Sequence, residues 1–180
     1  MGNFKEDIAR TEAFVFDVDG VMTDGGIIPT LDGDFIRRYN AKDGYALAYA
    51  IKMGYKVCII TGGRGKTLEN RLRMLGIKRA YIDCMDKISA LHEFFAVEGI
   101  DRANAIYMAD DIPDLECMQA VGLPVCPADG DAFCRSDHGG AKKQGRCCGP
   151  AFDREMRLYS PSPNSFSMAS LSAPSALCCA

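Results

Sequence analysis

No stretch of this sequence approaches the roughly 20 consecutive apolar residues that span a bilayer, so a membrane-spanning helix is not expected. Positive charge is not in excess either. Lys and Arg number 21 against 24 Asp and Glu, the formal net charge is −3 and the pI is about 5.4. No broad basic surface follows, and nucleic acid is not an expected partner. Histidine occurs twice, and only His138 lies near the cysteine-rich end. The nine cysteines contain no C-x-x-C, and the neighbours Cys147-Cys148 and Cys178-Cys179 are poor disulfide partners. Free thiols in a reducing compartment are expected rather than a zinc site. The opening "MGNFKEDIARTEAF" carries charges where a secretory signal needs an apolar core, and "GNFKE" lacks the Ser or Thr of a myristoylation signal. A cytoplasmic location is expected. What is present is 48% hydrophobic and 25% charged residues in a chain of 180, enough for one domain with a real core.

From residue 13 to about 127 strands and helices alternate. "AFVFDV", "KVCIIT", "AYID", "AIYMADD" and "LPVCPA" read as short buried strands. "DGYALAYAIKMG" reads as a helix ended by Gly54, and "KTLENRLRMLGI" as one with Leu68, Leu72 and Leu75 on one face. "DKISALHEFFAVEGI" has Ile88, Leu91 and Phe95 as its stripe, and "PDLECMQAVG" starts on Pro113. Between the first strand and the first helix, "IIPTLDGDFIRRYN" reads as a hairpin turning at Asp32-Gly33, with Pro29 on an edge. Strands separated by helices imply right-handed crossovers and an α/β fold, a doubly wound parallel sheet. Residues 1–130 are expected to form that domain. Residues 131–180 lose apolar periodicity, are rich in Ser, Ala and Pro after Ser160, and are expected to be a poorly ordered tail in which "FDREMRLY" has helical character.

Ligands of such sheets sit beyond the carboxyl ends of the strands. There "FVFDVDGVMTDGG" gathers Asp17, Asp19 and Asp24, Thr61-Gly62-Gly63 follows the second strand, and Asp110-Asp111 the fourth. Helix caps account for one or two of these residues. They account poorly for a D-x-D-G and a DD on strand ends of one sheet. Clustered carboxylates repel one another, and a divalent cation with hard oxygen preference offsets that repulsion. Thr61 and the following glycines offer a hydroxyl and free N–H groups to a phosphate. Lys87 opens a helix, where the dipole disfavours a cation, which suggests an anion to neutralise. The alternative is that Asp86 caps the helix and Lys87 stays in solvent.

D-V-D-G-V-M-T-D-G, then I-I-T-G, then D-K, then A-D-D-I-P-D, in that order, resembles the haloacid dehalogenase superfamily of phosphotransferases. "YNAKDGYAL", "LGI", "ADDIPDLECM" and a hairpin in place of a cap domain resemble one branch, the cap-less phosphatases acting on 3-deoxy-D-manno-octulosonate 8-phosphate (KDO 8-phosphate). The resemblance covers residues 13 to about 129. It implies that Asp17 is the nucleophile and forms an aspartyl-phosphate. It implies that Asp19 protonates the leaving sugar oxygen and then activates water. It implies Mg2+ held by Asp17, the backbone carbonyl of Asp19 and Asp110, with Asp111 and Asp114 supporting the metal from behind. Thr61, Gly62 and Lys87 would bind the phosphoryl group. Asn40, Lys42, Asp43 and Arg64 are candidates for lining the sugar pocket. A homotetramer is implied as well.

Two departures stand out. The family commonly has T-G-R where this chain has Thr61-Gly62-Gly63-Arg64. Relatives end in a Gly-rich G-G-x-G-x-x-R-E segment that packs over a neighbouring subunit's site, and "AKKQGRCCGPAFDRE" echoes it only faintly. A natural tail of this composition or a reading-frame change after about residue 129 would each produce it. Other readings are a 2-keto-3-deoxynononate 9-phosphate phosphatase, a phosphoaccepting receiver domain and a catalytically silent assembly subunit. Receivers place the phosphorylated Asp on a middle strand and the Lys last, whereas here Lys87 precedes Asp110-Asp111.

Overall fold

The computed structural model describes residues 8–136 and 146–148. Short apolar runs without a polar face suit strands covered on both sides. The first, β1 (Ala13–Phe16), is buried at all four residues. Strands β4 (Lys56–Ile60), β5 (Arg79–Tyr81), β6 (Ala105–Met108) and β7 (Leu123–Pro127) pair with it in parallel, in the order β5-β4-β1-β6-β7. Among the described residues two elements lie past residue 130. Helix α5 (Ala132–Ser136) follows β7, and β8 (Arg146–Cys148) extends the sheet by pairing in parallel with β7. The "FDREMRLY" segment and the Ser/Pro-rich end lie outside the described residues.

Side chains of β1 alternate between two cores. Ala13 and Val15 pack with Leu91, Phe94 and Met118 on one face, and Phe14 and Phe16 with Leu47, Leu68 and Leu72 on the other. Helices α1 (Ala41–Lys52) and α2 (Lys66–Met74) therefore cover one face, while α3 (Lys87–Glu98) and α4 (Leu115–Ala120) cover the opposite one. Helix α1 starts two residues before the expected Asp43, because the Asn40 side chain accepts from the Lys42 N–H at 2.8 Å and caps it. On α3 the buried stripe is Ala90, Leu91, Phe94 and Phe95, with Ile88 only half-buried, so the face is rotated slightly from the expected one.

Between β1 and α1 the chain makes a two-stranded antiparallel ladder, β2 (Ile28–Pro29) with β3 (Phe35–Ile36). Asp34 and Phe35 fasten it to the start of α2. Thr67 N–H donates to Asp34 Oδ2 at 3.1 Å, and the Thr67 hydroxyl to the Phe35 carbonyl at 2.7 Å. No cap domain is present among the described residues. Strand order reverses at β1, whose neighbours β4 and β6 lead to opposite sheet edges. A crevice opens at the carboxyl ends of strands at such a point.

Candidate active site

That crevice is a cleft of about 610 Å³ lined by Asp17, Asp19, Thr61, Gly62, Arg64, Lys87, Asp110, Asp111 and Asp114. Each lies on a segment that follows a strand of the sheet. Asp17 directly follows β1, and its N–H still donates to the Met108 carbonyl of β6 at 3.0 Å. After it the chain turns tightly. The buried Thr23 hydroxyl accepts from the N–H groups of Gly20 at 3.3 Å and Gly25 at 3.2 Å, which holds the D-V-D-G loop closed. Gly20 has φ +85°, and a Cβ there would stand 1.9 Å from Asp110 Oδ2. Only glycine lets the Asp17 loop and the Asp110 carboxylate come this close.

Lys87 is buried at the start of α3, with Asp86 as the side-chain cap through Ser89 N–H at 3.1 Å. The alternative reading of this pair is half met: Asp86 caps the helix, yet Lys87 does not point to solvent. Its Nζ lies 2.6 Å from Asp114 Oδ2 and 3.3 Å from Asp17 Oδ2. Burial opposes the charge on Lys87, but the two carboxylates outweigh it and hold its pKa above the usual lysine value. Asp114 is fully buried, and Tyr107 donates to its other oxygen at 2.5 Å. It therefore serves Lys87 directly. Asp111 caps the 3-10 turn Ile112–Asp114 by accepting from the Ile112 N–H at 2.7 Å.

Around Lys87 the carboxylates of Asp17 and Asp114 outnumber the ammonium. Burial, with Asp114 nearby, pushes the Asp17 carboxyl up to about 6, and burial pushes Asp110 up to about 6 as well. One oxygen of each, Asp17 Oδ1 and Asp110 Oδ1, is buried without a hydrogen-bond partner. Two such oxygens in a cleft suit a hard divalent cation completed by water or phosphate oxygens. Among the described residues no group of three or more His, Cys, Asp and Glu side chains is placed to hold a metal ion.

Other expected residues do not converge. Asp24 turns outward, pairs with Arg38 at the surface and caps the Gly26 N–H at 3.2 Å. Of the four sugar-pocket candidates only Arg64 lines the cleft. Asn40 is spent on the α1 cap, Lys42 is exposed in the first helical turn, and Asp43 is buried on α1. Sequence reasoning missed Arg37. Its Nε and Nη2 donate to the two oxygens of Asp19 at 2.7 and 3.0 Å. Tyr107 was missed too, although a tyrosine inside an all-buried strand demands a partner for its hydroxyl.

A D-x-D-G turn after the first strand, answered by a lysine at a helix start and an acid beyond β6, defines a cap-less haloacid dehalogenase domain. No protein-family model matches the chain. A curated 3-deoxy-D-manno-octulosonate 8-phosphate phosphatase from Yersinia pestis is 39% identical over 121 residues, which are 67% of this chain and 65% of the relative. The chain thus spans about two thirds of the length of the curated relatives it matches. The crystal structure of the phosphatase of that name from Yersinia pestis is 37% identical, with a TM-score of 0.69 over 71% of this chain and 69% of that one. The Moraxella catarrhalis phosphatase, solved in complex with magnesium ion, phosphate ion and KDO, is 28% identical, with a TM-score of 0.69 over 73% of this chain and 75% of that one. The chain belongs to the 3-deoxy-D-manno-octulosonate 8-phosphate phosphatase family of the haloacid dehalogenase superfamily. These likenesses favour a phosphatase over a receiver-type signalling domain.

Proposed function

We propose that this chain is a Mg2+-dependent phosphatase that hydrolyses KDO 8-phosphate to KDO and phosphate. The observation that carries the proposal is the pair of buried, unpartnered oxygens on Asp17 and Asp110, in one cleft with Lys87. Asp17 attacks phosphorus and becomes an aspartyl-phosphate. Asp19 gives a proton to the departing sugar oxygen and later takes one from the water that hydrolyses the intermediate. Thr61, Gly62 and Lys87 hold the phosphoryl oxygens, and Asp114, itself held by Tyr107, fixes the Lys87 ammonium. Asp17, the Asp19 carbonyl and Asp110 would hold Mg2+, with Asp111 beside them. When bound, the ion neutralises the acids and orients the phosphoryl group.

Arg64 is the pocket residue retained for the sugar. The assembly belongs to the proposal too. Ile27, Ile28, Leu31 and Ile36 lie exposed on and around the hairpin, and a homotetramer would cover them. No helix among the described residues is long and apolar enough to cross a membrane, which accords with the proposed cytoplasmic location. The test is phosphate release from KDO 8-phosphate, from 2-keto-3-deoxynononate 9-phosphate and from an aryl phosphate, each with Mg2+ and with EDTA. The proposal expects the eight-carbon sugar acid to have the highest kcat/KM and EDTA to abolish release. Preference for the nine-carbon ester overturns the substrate, and no Mg2+-dependent release from any ester overturns the activity.

A further inference from the structure

The hairpin carries one buried charge into the cleft. Arg37, just after β3, has a side chain only 2% exposed, and its fork grips Asp19 at two points. Its remaining nitrogen, Nη1, donates to the Arg64 carbonyl at 3.3 Å. One guanidinium therefore joins the hairpin, the D-x-D loop and the Thr61–Gly65 loop. The last loop is shaped to admit it. A Cβ on Gly63 would lie 2.7 Å from Arg37 Nη2 and 3.1 Å from Asp19 Oδ2. Contact this tight requires the neighbour to move. A surface arginine serving only solubility would not be buried, bidentate and seated over a glycine.

We propose that Arg37 is a positioning residue: it fixes the orientation of the Asp19 carboxylate in the cleft, and Gly63 is the vacancy that lets it do so. This deepens the phosphatase reading and rests on it. The planar fork matters more than the charge. Lysine supplies a single point of attachment and leaves the carboxylate free to rotate. A poorly placed proton donor slows turnover while ground-state phosphate binding, which uses Thr61 and Lys87, persists. Misplacement of about 1 Å can cost on the order of 10²-fold.

The experiment compares wild type, Arg37→Lys, Arg37→Gln and Gly63→Ala as full-length proteins. Steady-state kinetics are measured on KDO 8-phosphate and on nitrophenyl phosphate, whose leaving group needs no proton. Formation of the enzyme-bound intermediate is measured by rapid quench. Backbone amide exchange is followed across Gly62–Gly65. The expected result is a kcat loss on the sugar phosphate of about 10–100-fold in all three variants, with KM changed much less. Intermediate formation from nitrophenyl phosphate should be nearly unaffected. Exchange across Gly62–Gly65 should speed up in Arg37→Gln and Gly63→Ala. Wild-type kcat in Arg37→Gln overturns the proposal, as does a loss confined to KM or an equal loss in the rate of intermediate formation from the two esters. If Arg37→Gln does not fold, Gly63→Ala with Arg37 intact carries the same kinetic test. An inactive wild type refutes the phosphatase reading instead, and amide exchange then still reports whether Arg37 ties the loop. Unchanged exchange overturns that tie.

Discussion

Replacing Asp17 by Asn should stabilise the metal-free protein at alkaline pH while destroying its activity. Asp17 is 7% exposed, and burial with Asp114 nearby raises its carboxyl from 3.8 to about 6, despite the attraction of Lys87. A carboxyl whose folded pKa is raised favours the fold in its protonated form. That advantage is complete below 3.8 and is lost as pH rises through about 6. At pH 8 the ionised group therefore costs the fold roughly two pKa units, about 3 kcal/mol at ~1.36 kcal/mol per unit. Asparagine does not ionise, so Asp17→Asn recovers this cost. In a domain of this size the gain corresponds to a Tm rise of roughly 6–12 °C. The assay is thermal denaturation in EDTA at a series of pH values. The gain should be largest at pH 8, shrink as pH falls through 6 and vanish below 4. Added Mg2+ should raise the Tm of wild type and leave the variant unchanged. An Asn variant less stable than wild type in EDTA at pH 8, or a difference independent of pH, would refute the reasoning.

Mg2+ binding should weaken as pH falls through about 6 and should release protons in that range, because Asp17 and Asp110 are both raised to about 6 in the metal-free protein and the ion needs them ionised. Calorimetry in buffers of different ionisation enthalpy measures this. Asp19→Asn should lower kcat about 10²–10⁴-fold with its fold intact, checked by kinetics and circular dichroism. Tyr107→Phe removes the hydroxyl that donates to Asp114 Oδ1 and should cost about 1.5–3 kcal/mol in urea denaturation. Gly20→Ala sets a Cβ 1.9 Å from Asp110 Oδ2 at φ +85° and should cost about 1–3 kcal/mol and weaken the Mg2+ response, read from Tm with and without the ion.

The sheet was legible because its strands are local apolar runs. AFVF and AIYM have no polar face, so they admit no solvent-exposed arrangement, and β1 splits its side chains between two cores as a doubly wound sheet requires. The acids at strand ends were legible for the same reason: a strand end is a local event, and Asp17, Thr61 and Asp110 follow one. Side chains whose role depends on where a loop docks were not. Asn40, Lys42 and Asp43 fall on a helix start, where capping and burial claim two of them before a substrate can. Arg37 shares its strand face with Phe35 under period-2 alternation, but only the fastening of Asp34 to Thr67 brings that face to Asp19. Asp24 illustrates the converse. It belongs to the acidic run in sequence, yet the turn pinned by Thr23 sends it to Arg38.

The central claim is that Asp17 carries the phosphoryl group. The most direct measurement is to mix the protein with KDO 8-phosphate and Mg2+, quench in acid on the millisecond scale, digest, and map the adduct by mass spectrometry. The account predicts a phosphoryl adduct on Asp17 that appears before free KDO accumulates, decays once the substrate is exhausted and is absent from Asp17→Asn. Turnover without any adduct, or an adduct on Asp19 or Asp110, would contradict it.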